Sequence, residues 1–95
     1  MHSHLAKMIG QYLVETRTKK GLSQKELADS IDVSAQFLGR IERGDVMIPE
    51  QILINAISFL KLSEKKLTKI YRISSEITAS EIFKSSRKRK GRKSS

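Results

Sequence analysis

Residues 23–44 contain the pattern of two short helices joined by one tight turn, and this segment constrains the fold more than any other. Ser23 is followed three residues later by Glu26, the spacing of a capping box that satisfies two backbone N–H groups at a helix start. Ser34 is suited to cap a second helix, and Gly44 offers a left-handed stop after it. Only two residues separate the first helix from the second cap, so the helices must pack on each other.

Apolar residues of this segment recur at helical spacing and predict a shared core. They are Leu27, Ile31, Val33, Leu38 and Ile41. If these side chains point inward, the polar residues of the second helix point outward. A helix pair of this kind is one known way to place side chains in a DNA major groove.

The flanking residues also read as helices. Apolar steps of three and four residues predict an amphipathic first helix that ends near Gly21. Pro49 at a first helical position predicts a fourth helix through about Leu60, and Ser63 can cap a fifth that reaches at least Tyr71. Strand signals are absent. The sequence predicts an all-α fold, a compact five-helix bundle with the option of a short extra C-terminal helix.

The segment resembles the helix-turn-helix of the Cro/C1-type (XRE-like) family of phage and bacterial transcriptional regulators. The resemblance rests on Gln24 opening the first helix, Ala28 at the close-packing position and the sequence IERG at 41–44, and it extends over about residues 9–71. It implies a bundle of lambda-repressor-like type. Asp32 departs from the family, since many members carry Gly at this left-handed turn position, although Asp tolerates that conformation better than most residues.

The resemblance implies that three residues of the second motif helix read bases: Ala35, Gln36 and Arg40. Gln36 can pair bidentately with adenine, Arg40 with guanine O6 and N7, and Ala35 can offer a methyl group to thymine. The alternative is that all three are solvated helix residues. Phe37 lies beside the core stripe, which predicts partial packing rather than base contact.

Phosphate contacts are expected from four other residues: Gln24, Lys25, Ser34 and Arg43. The first stands at a helix N-terminus, where free amides and the helix dipole favour an anion, and the family uses the matching glutamine this way. The loop at 45–48 is often basic in relatives but carries Asp45 here, so we expect fewer phosphate contacts from it.

The same resemblance implies an ion pair between Arg17 and Glu42, because the family commonly has one between these positions. A partly buried bidentate pair would tie the first helix to the second motif helix. Its expected role is structural support.

The predicted fourth helix is apolar on more than one face. Such a helix is either central to a core or shared between subunits, and both interpretations remain open. The dimer interpretation assigns Met47, Ile54 and Phe59 to an interface.

The sequence changes character after Ile73. We therefore expect a DNA-binding domain at 1–73, a C-terminal extension at 74–85 that can be helical, and a disordered basic tail at 86–95. Residues 74–95 contain seven basic and two acidic residues, a net +5 of the total +9. The tail residues expected to bind DNA without sequence preference are Arg87, Lys88, Arg89, Lys90, Arg92 and Lys93.

Composition excludes several classes of function. A net charge of +9 favours polyanionic partners. The absence of cysteine removes disulfide, thiolate-metal and thiol-nucleophile chemistry. No apolar run approaches the roughly 20 residues of a membrane span, so a cytoplasmic protein is expected. His2 and His4 form a terminal pair that lacks further metal ligands, and no catalytic constellation appears; we expect neither an enzyme nor a metal or other cofactor.

These features together predict a sequence-specific regulator that binds double-stranded DNA. The expected form is a homodimeric repressor on a palindromic operator, with half-sites about 10 bp apart or a multiple of that spacing. The alternative is an antitoxin-type module that binds a protein partner and for which DNA binding is secondary. An RNA-binding role is a third class, but an aromatic content of 5% without a stacking platform argues against single-strand binding.

Overall fold

The computed structural model describes the backbone of residues 4–86 and the side-chain surroundings of residues 4–75. Within residues 4–86 the chain forms five α-helices and no strand. They are α1 His4–Lys19, α2 Gln24–Ile31, α3 Ala35–Glu42, α4 Glu50–Leu60 and α5 Glu64–Ser86. The predicted all-α, five-helix architecture is confirmed.

One apolar core holds the helices together. α1 packs against α3 and α5, and α2 packs against α3 and α4. The largest fully buried side chains are Ile9, Leu13, Leu27, Ile31, Leu38, Ile41 and Leu60. Val33, in the α2–α3 turn, is half-buried against this core. Each buried Leu or Ile contributes about 1.5–3 kcal/mol relative to exposure, so burial of these side chains drives the bundle to form.

The ends of α4 are set by two residues with different backbone conformations. Pro49 is extended (φ −64°, ψ 148°) and is the N-cap, so the helix begins one residue later than predicted. The carbonyl of Pro49 accepts the N–H of Leu53 at 2.9 Å. Lys61 is left-handed (φ 57°) and stops the helix, although a non-glycine residue is strained there.

Residues 74–85 continue α5 and do not form the separate short helix that the sequence allowed. The stretch 64–86 contains neither Gly nor Pro, and a new N-cap would need a residue with extended backbone. Thr78 and Ser80 have hydroxyl groups of the kind that cap a helix, but both lie inside α5. The tail residues 87–95 lie outside the described part of the chain.

Hydrogen bonds cap the start of α5 and join α4 and α5 to the rest of the bundle. The N–H of Ser63 donates to the Tyr12 hydroxyl at 2.9 Å, and the N–H of Lys66 donates to Ser63 Oγ at 3.1 Å. Lys66 Nζ stands 4.9 Å from the centre of the Tyr12 ring, within the range of a cation–π interaction. On the other side, Asn55 Nδ2 donates to the carbonyl of Ile31 at 3.1 Å, which joins α4 to the end of α2.

None of the helices in the described range 4–86 combines the length and the apolar character needed to cross a lipid bilayer.

Candidate DNA-binding interface

The turn between α2 and α3 is defined by caps on both sides. Glu26 N–H donates to Ser23 Oγ at 3.0 Å and Ser23 N–H donates to Glu26 Oε1 at 2.8 Å, which is the predicted capping box. Asp32 ends α2 in the left-handed region (φ 69°, ψ 46°), as its place in the turn predicts. Ser34 then begins α3, because its Oγ accepts the Phe37 N–H at 3.0 Å.

α3 presents a polar face to solvent and an apolar face to the core. Leu38 and Ile41 are buried, whereas Gln36 and Arg40 are exposed. These two exposed residues are four apart and therefore lie on one face of the helix. Together with the tight turn, this arrangement defines a helix-turn-helix, with α3 in the place of the recognition helix.

Ala35 and Phe37 are less exposed than Gln36, which lies between them at the start of α3. Both are half-buried and pack against the core. Partial packing of Phe37 is what its spacing predicts. For Ala35 the packing means that only part of its methyl group is available to a ligand.

Glu42, at the end of α3, accepts hydrogen bonds from side chains of two other helices, α1 and α2. Its Oε2 accepts Arg17 Nε at 2.8 Å, and its Oε1 accepts Arg17 Nη2 at 3.2 Å. The same Oε1 accepts Gln24 Nε2 at 2.9 Å. Arg17 Nη1 donates to the carbonyl of Leu22 at 3.0 Å. The structure thus brings Arg17 and Glu42 into a two-bonded ion pair whose side chains are 17% and 5% exposed.

The bond between Gln24 and Glu42 is not predicted by the sequence, in which Gln24 is expected only as a phosphate contact. Gln24 and Glu42 are 18 positions apart, and no local pattern links them. The amide lies at the start of α2 and the carboxylate at the end of α3. Their bond could be predicted only if the angle between these two helices were known.

Gly39 lies where the Gln24 and Arg43 side chains meet α3. A Cβ at this position would stand 3.4 Å from Arg43 Nη1 and 3.6 Å from Gln24 Nε2, which are ordinary contact distances. Arg43 is also held by Asp45, whose Oδ2 accepts its Nε at 3.0 Å. The two predicted phosphate ligands Gln24 and Arg43 therefore converge on one spot beside the recognition helix.

The other two predicted phosphate ligands have local partners. Lys25 is exposed and stands 3.4 Å from Asp29, one helical turn away. The Ser34 hydroxyl oxygen accepts the cap bond, which leaves its own O–H hydrogen able to donate.

Two glycines, for which the sequence predicts no packing role, allow α1 to approach the end of α3 closely. A Cβ on Gly10 would collide with the carbonyl oxygen of Ile41 and would lie 2.7 Å from that of Glu42. Gly44 is left-handed (φ 78°), and a Cβ there would lie 2.6 Å from Lys7 Cγ. α1 thus approaches the end of α3 closely enough that its backbone supports the recognition helix directly.

The three residues assigned to a dimer interface lie outside α3. Met47 is 41% exposed in the loop after α3, and Ile54 and Phe59 are 49% and 43% exposed on α4. An apolar groove between α4 and α5 is lined by other residues: Leu53, Ile57, Glu64, Leu67, Thr68 and Tyr71. Met47, Ile54 and Phe59 are thus exposed to solvent, and none of them belongs to the polar face of α3.

Comparison with known proteins agrees with this geometry. The profile of the helix-turn-helix family HTH_3 matches residues 13–67, more than half of the chain, and the chain belongs to this family. The chain is thus a DNA-binding, helix-turn-helix regulator of transcription.

Solved structures similar to this chain include two of the clp gene regulator ClgR from Corynebacterium glutamicum. The first superimposes with a TM-score of 0.62 at 24% identity, over 90% of this chain and 87% of that one. The second gives 0.61 at 25% identity, over 76% of this chain and 90% of that one. A search of curated proteins finds no significant match.

Proposed function

We propose that this protein is a sequence-specific repressor that binds a palindromic operator as a homodimer and inserts α3 into the major groove of each half-site. The observation that carries the proposal is the exposed polar face of α3, with Gln36 and Arg40 one helical turn apart on a helix that the core and Ser34 hold in place. Half-sites on one face of the duplex are then expected about 10 bp apart, or a multiple of that spacing.

Base discrimination is assigned to Gln36 and Arg40, with a smaller part for Ala35. A glutamine amide matches adenine N6 and N7, and a guanidinium matches guanine O6 and N7. Ala35 is half-buried, so its proposed contact with a thymine methyl uses only the exposed edge of its side chain. Gln24, Lys25, Ser34 and Arg43 are proposed to bind phosphates and so to set the register of α3.

Selection from random duplex DNA tests this function. Recovery of a palindromic motif supports it, and retention that depends on salt but not on sequence contradicts it. Gln36→Ala and Arg40→Ala should each lose about 1–3 kcal/mol of discrimination at one base pair of the recovered motif. Gln11→Ala is the matched control, because Gln11 is an exposed glutamine on α1 and should leave the motif unchanged.

The homodimer is proposed from the exposed apolar side chains of Met47, Ile54 and Phe59. Each of these large apolar side chains would lose contact with water if a partner covered it. Sedimentation equilibrium tests the proposal: a monomer–dimer equilibrium is expected, and Ile54→Lys should shift it towards monomer. A monomer that does not change with concentration contradicts it.

The same apolar surface supports the antitoxin-type alternative, in which a different protein covers α4. The two functions predict different behaviour of the pure protein. A chain that stays monomeric, gives no motif in selection and dimerises only with a second protein would favour the alternative.

A further inference from the structure

The Glu42 carboxylate has one more partner than an ion pair requires. Its two oxygens already accept Arg17 Nε and Nη2 at 2.8 and 3.2 Å. The third bond, from Gln24 Nε2 at 2.9 Å, reaches across to the first residue of α2. With a side chain only 5% exposed, Glu42 is fixed by the protein and can act as a rigid acceptor.

This third bond restricts the Gln24 amide. A glutamine side chain has several freely rotating bonds and loses entropy when a ligand orders it. Once one N–H of the amide is held by Glu42, the second N–H and the carbonyl oxygen have fixed directions, because the amide group is planar. Ordering a ligand-binding group before the ligand arrives reduces the cost of binding.

Gly39 allows the amide to take up this position. Gln24 Nε2 and Oε1 stand 3.6 and 3.7 Å from the point where a Cβ of Gly39 would lie, so the amide rests near the α3 backbone. A long side chain at 39 would occupy that space. Gln24 is half-buried, and the bond to Glu42 holds its amide beside Gly39 of α3.

We propose that Glu42 is a positioning residue for DNA binding, which orients the Gln24 amide so that its free N–H donates to a DNA phosphate. This inference rests on the proposed DNA-binding function. A carboxylate beside bound DNA would by itself repel phosphates, but the guanidinium of Arg17 balances its charge. The pair thus supplies an oriented acceptor without a net negative charge.

A double-mutant cycle in DNA affinity separates positioning from support of the fold. The background variant Arg17→Met/Glu42→Met replaces the ion pair with apolar side chains of similar length, a change that buried ion pairs often tolerate. Gln24→Ala should weaken operator binding about fivefold in the wild-type chain and less than about twofold in this background. An equal loss in both backgrounds would overturn the inference.

A second background tests the acceptor itself. Arg17→Met/Glu42→Gln also lacks the ion pair, but its side-chain carbonyl can still accept the Gln24 N–H. The cost of Gln24→Ala should return to about fivefold there, whereas a purely structural role for Glu42 predicts no difference between the two backgrounds. Urea unfolding of each variant establishes that the compared proteins are folded.

Salt dependence gives a third readout. Because the glutamine amide is neutral, Gln24→Ala should lower affinity without changing the slope of log affinity against log salt. A changed slope would mean that the substitution displaces a cation, which overturns the assigned contact. A wild-type chain that does not bind duplex DNA would overturn the proposed function, whereas normal wild-type binding with an uncoupled Gln24 overturns this inference alone.

Discussion

Gly10 and Gly39 both lie inside helices, yet they have opposite surroundings. At Gly10 the atoms that a Cβ would meet are backbone carbonyl oxygens at the end of α3, with Glu42 O at 2.7 Å. At Gly39 they are the ends of the Arg43 and Gln24 side chains, at 3.4 Å and beyond, which are ordinary contact distances. A Cβ at Gly10 would require the helices to separate, whereas a Cβ at Gly39 requires no atom to move.

Gly10→Ala and Gly39→Ala should therefore change stability in opposite directions. Alanine stabilises a helix interior by about 1 kcal/mol relative to glycine, and most of this stabilisation should be retained at position 39. At position 10 the overlap of the added Cβ with the carbonyl oxygens of α3 should outweigh this stabilisation, and the free energy of unfolding should fall by about 1–3 kcal/mol. Urea unfolding measures both free energies, and a Gly10→Ala variant as stable as the wild type would contradict the close approach of α1 and α3.

Arg43 and Gln24 both reach the surface of α3 at Gly39, where Arg43 Nη1 lies 3.4 Å from the position of an added Cβ. Only its Nε is bonded to Asp45, and that pair is largely exposed, so solvent screens it. The guanidinium therefore keeps donors for a phosphate.

Replacing Arg43 should reduce the salt dependence of binding. Arg43→Ala is expected to lower the slope of log affinity against log salt by about 0.9, the value for one lost phosphate contact. It should weaken binding to all sequences about equally. Lys65→Ala is the matched control, since Lys65 is exposed on α5; an equal change of slope in both variants would contradict a specific phosphate contact for Arg43.

Among elements, α4 has an exposed face and a strained end. Of its residues, Ala56 and Leu60 are fully buried, while Ile54 and Phe59 remain about half exposed. The helix ends at Leu60 with Lys61 as its C-cap, and the N–H of Leu62 donates to the carbonyl of Ile57 at 3.1 Å. That closing bond requires a left-handed residue at 61, a position where glycine is the usual choice.

Lys61→Gly should stabilise the protein. A non-glycine residue in the left-handed region costs about 1–2 kcal/mol, and glycine loses more entropy on folding, so we expect a net gain of about 0.5–1 kcal/mol. Lys61→Ala is the control, since it removes the same charge and keeps the strain. Thermal unfolding compares the two, and a gain from alanine equal to that from glycine would assign the effect to charge instead.

For the whole molecule, positive charge is concentrated towards the C-terminus. Residues 74–95 account for a net +5 of the +9, and six of the basic residues lie within 86–95. This charge is separate in sequence from the residues assigned to base contact. General affinity for DNA and sequence preference are therefore expected to be separable.

Deleting residues 86–95 should weaken binding to every duplex by a similar factor. The slope against log salt should fall by about 0.9 for each phosphate that the tail neutralises, while the motif recovered in selection stays the same. Filter binding at several salt concentrations measures both quantities. A loss confined to the operator would show instead that the tail takes part in sequence recognition.

Much of the fold could be predicted from local sequence. The capping box of Ser23 and Glu26, the cap at Ser34 and the stop at Gly44 each depend on residues within a few positions, and the structure has all of them. The apolar spacing located the core, and the helix bounds were predicted to within about one residue at Pro49. The end of α5 was not predicted, because 74–86 contains polar residues that can either cap a helix or continue one.

The apolar spacing and the family resemblance together predict which polar residues of α3 are exposed. They do not predict the contacts that other helices make with α3. Local patterns predict the five helices, their inward-facing apolar residues and an exposed second motif helix in a basic chain. The folded structure adds three contacts: Gln24 bonds to Glu42, the carbonyls at the end of α3 lie against Gly10, and the Tyr12 hydroxyl accepts the N–H of Ser63. Caps and periodicity depend on the geometry of one helix, whereas these contacts join residues 18 to 51 positions apart and depend on how the helices cross.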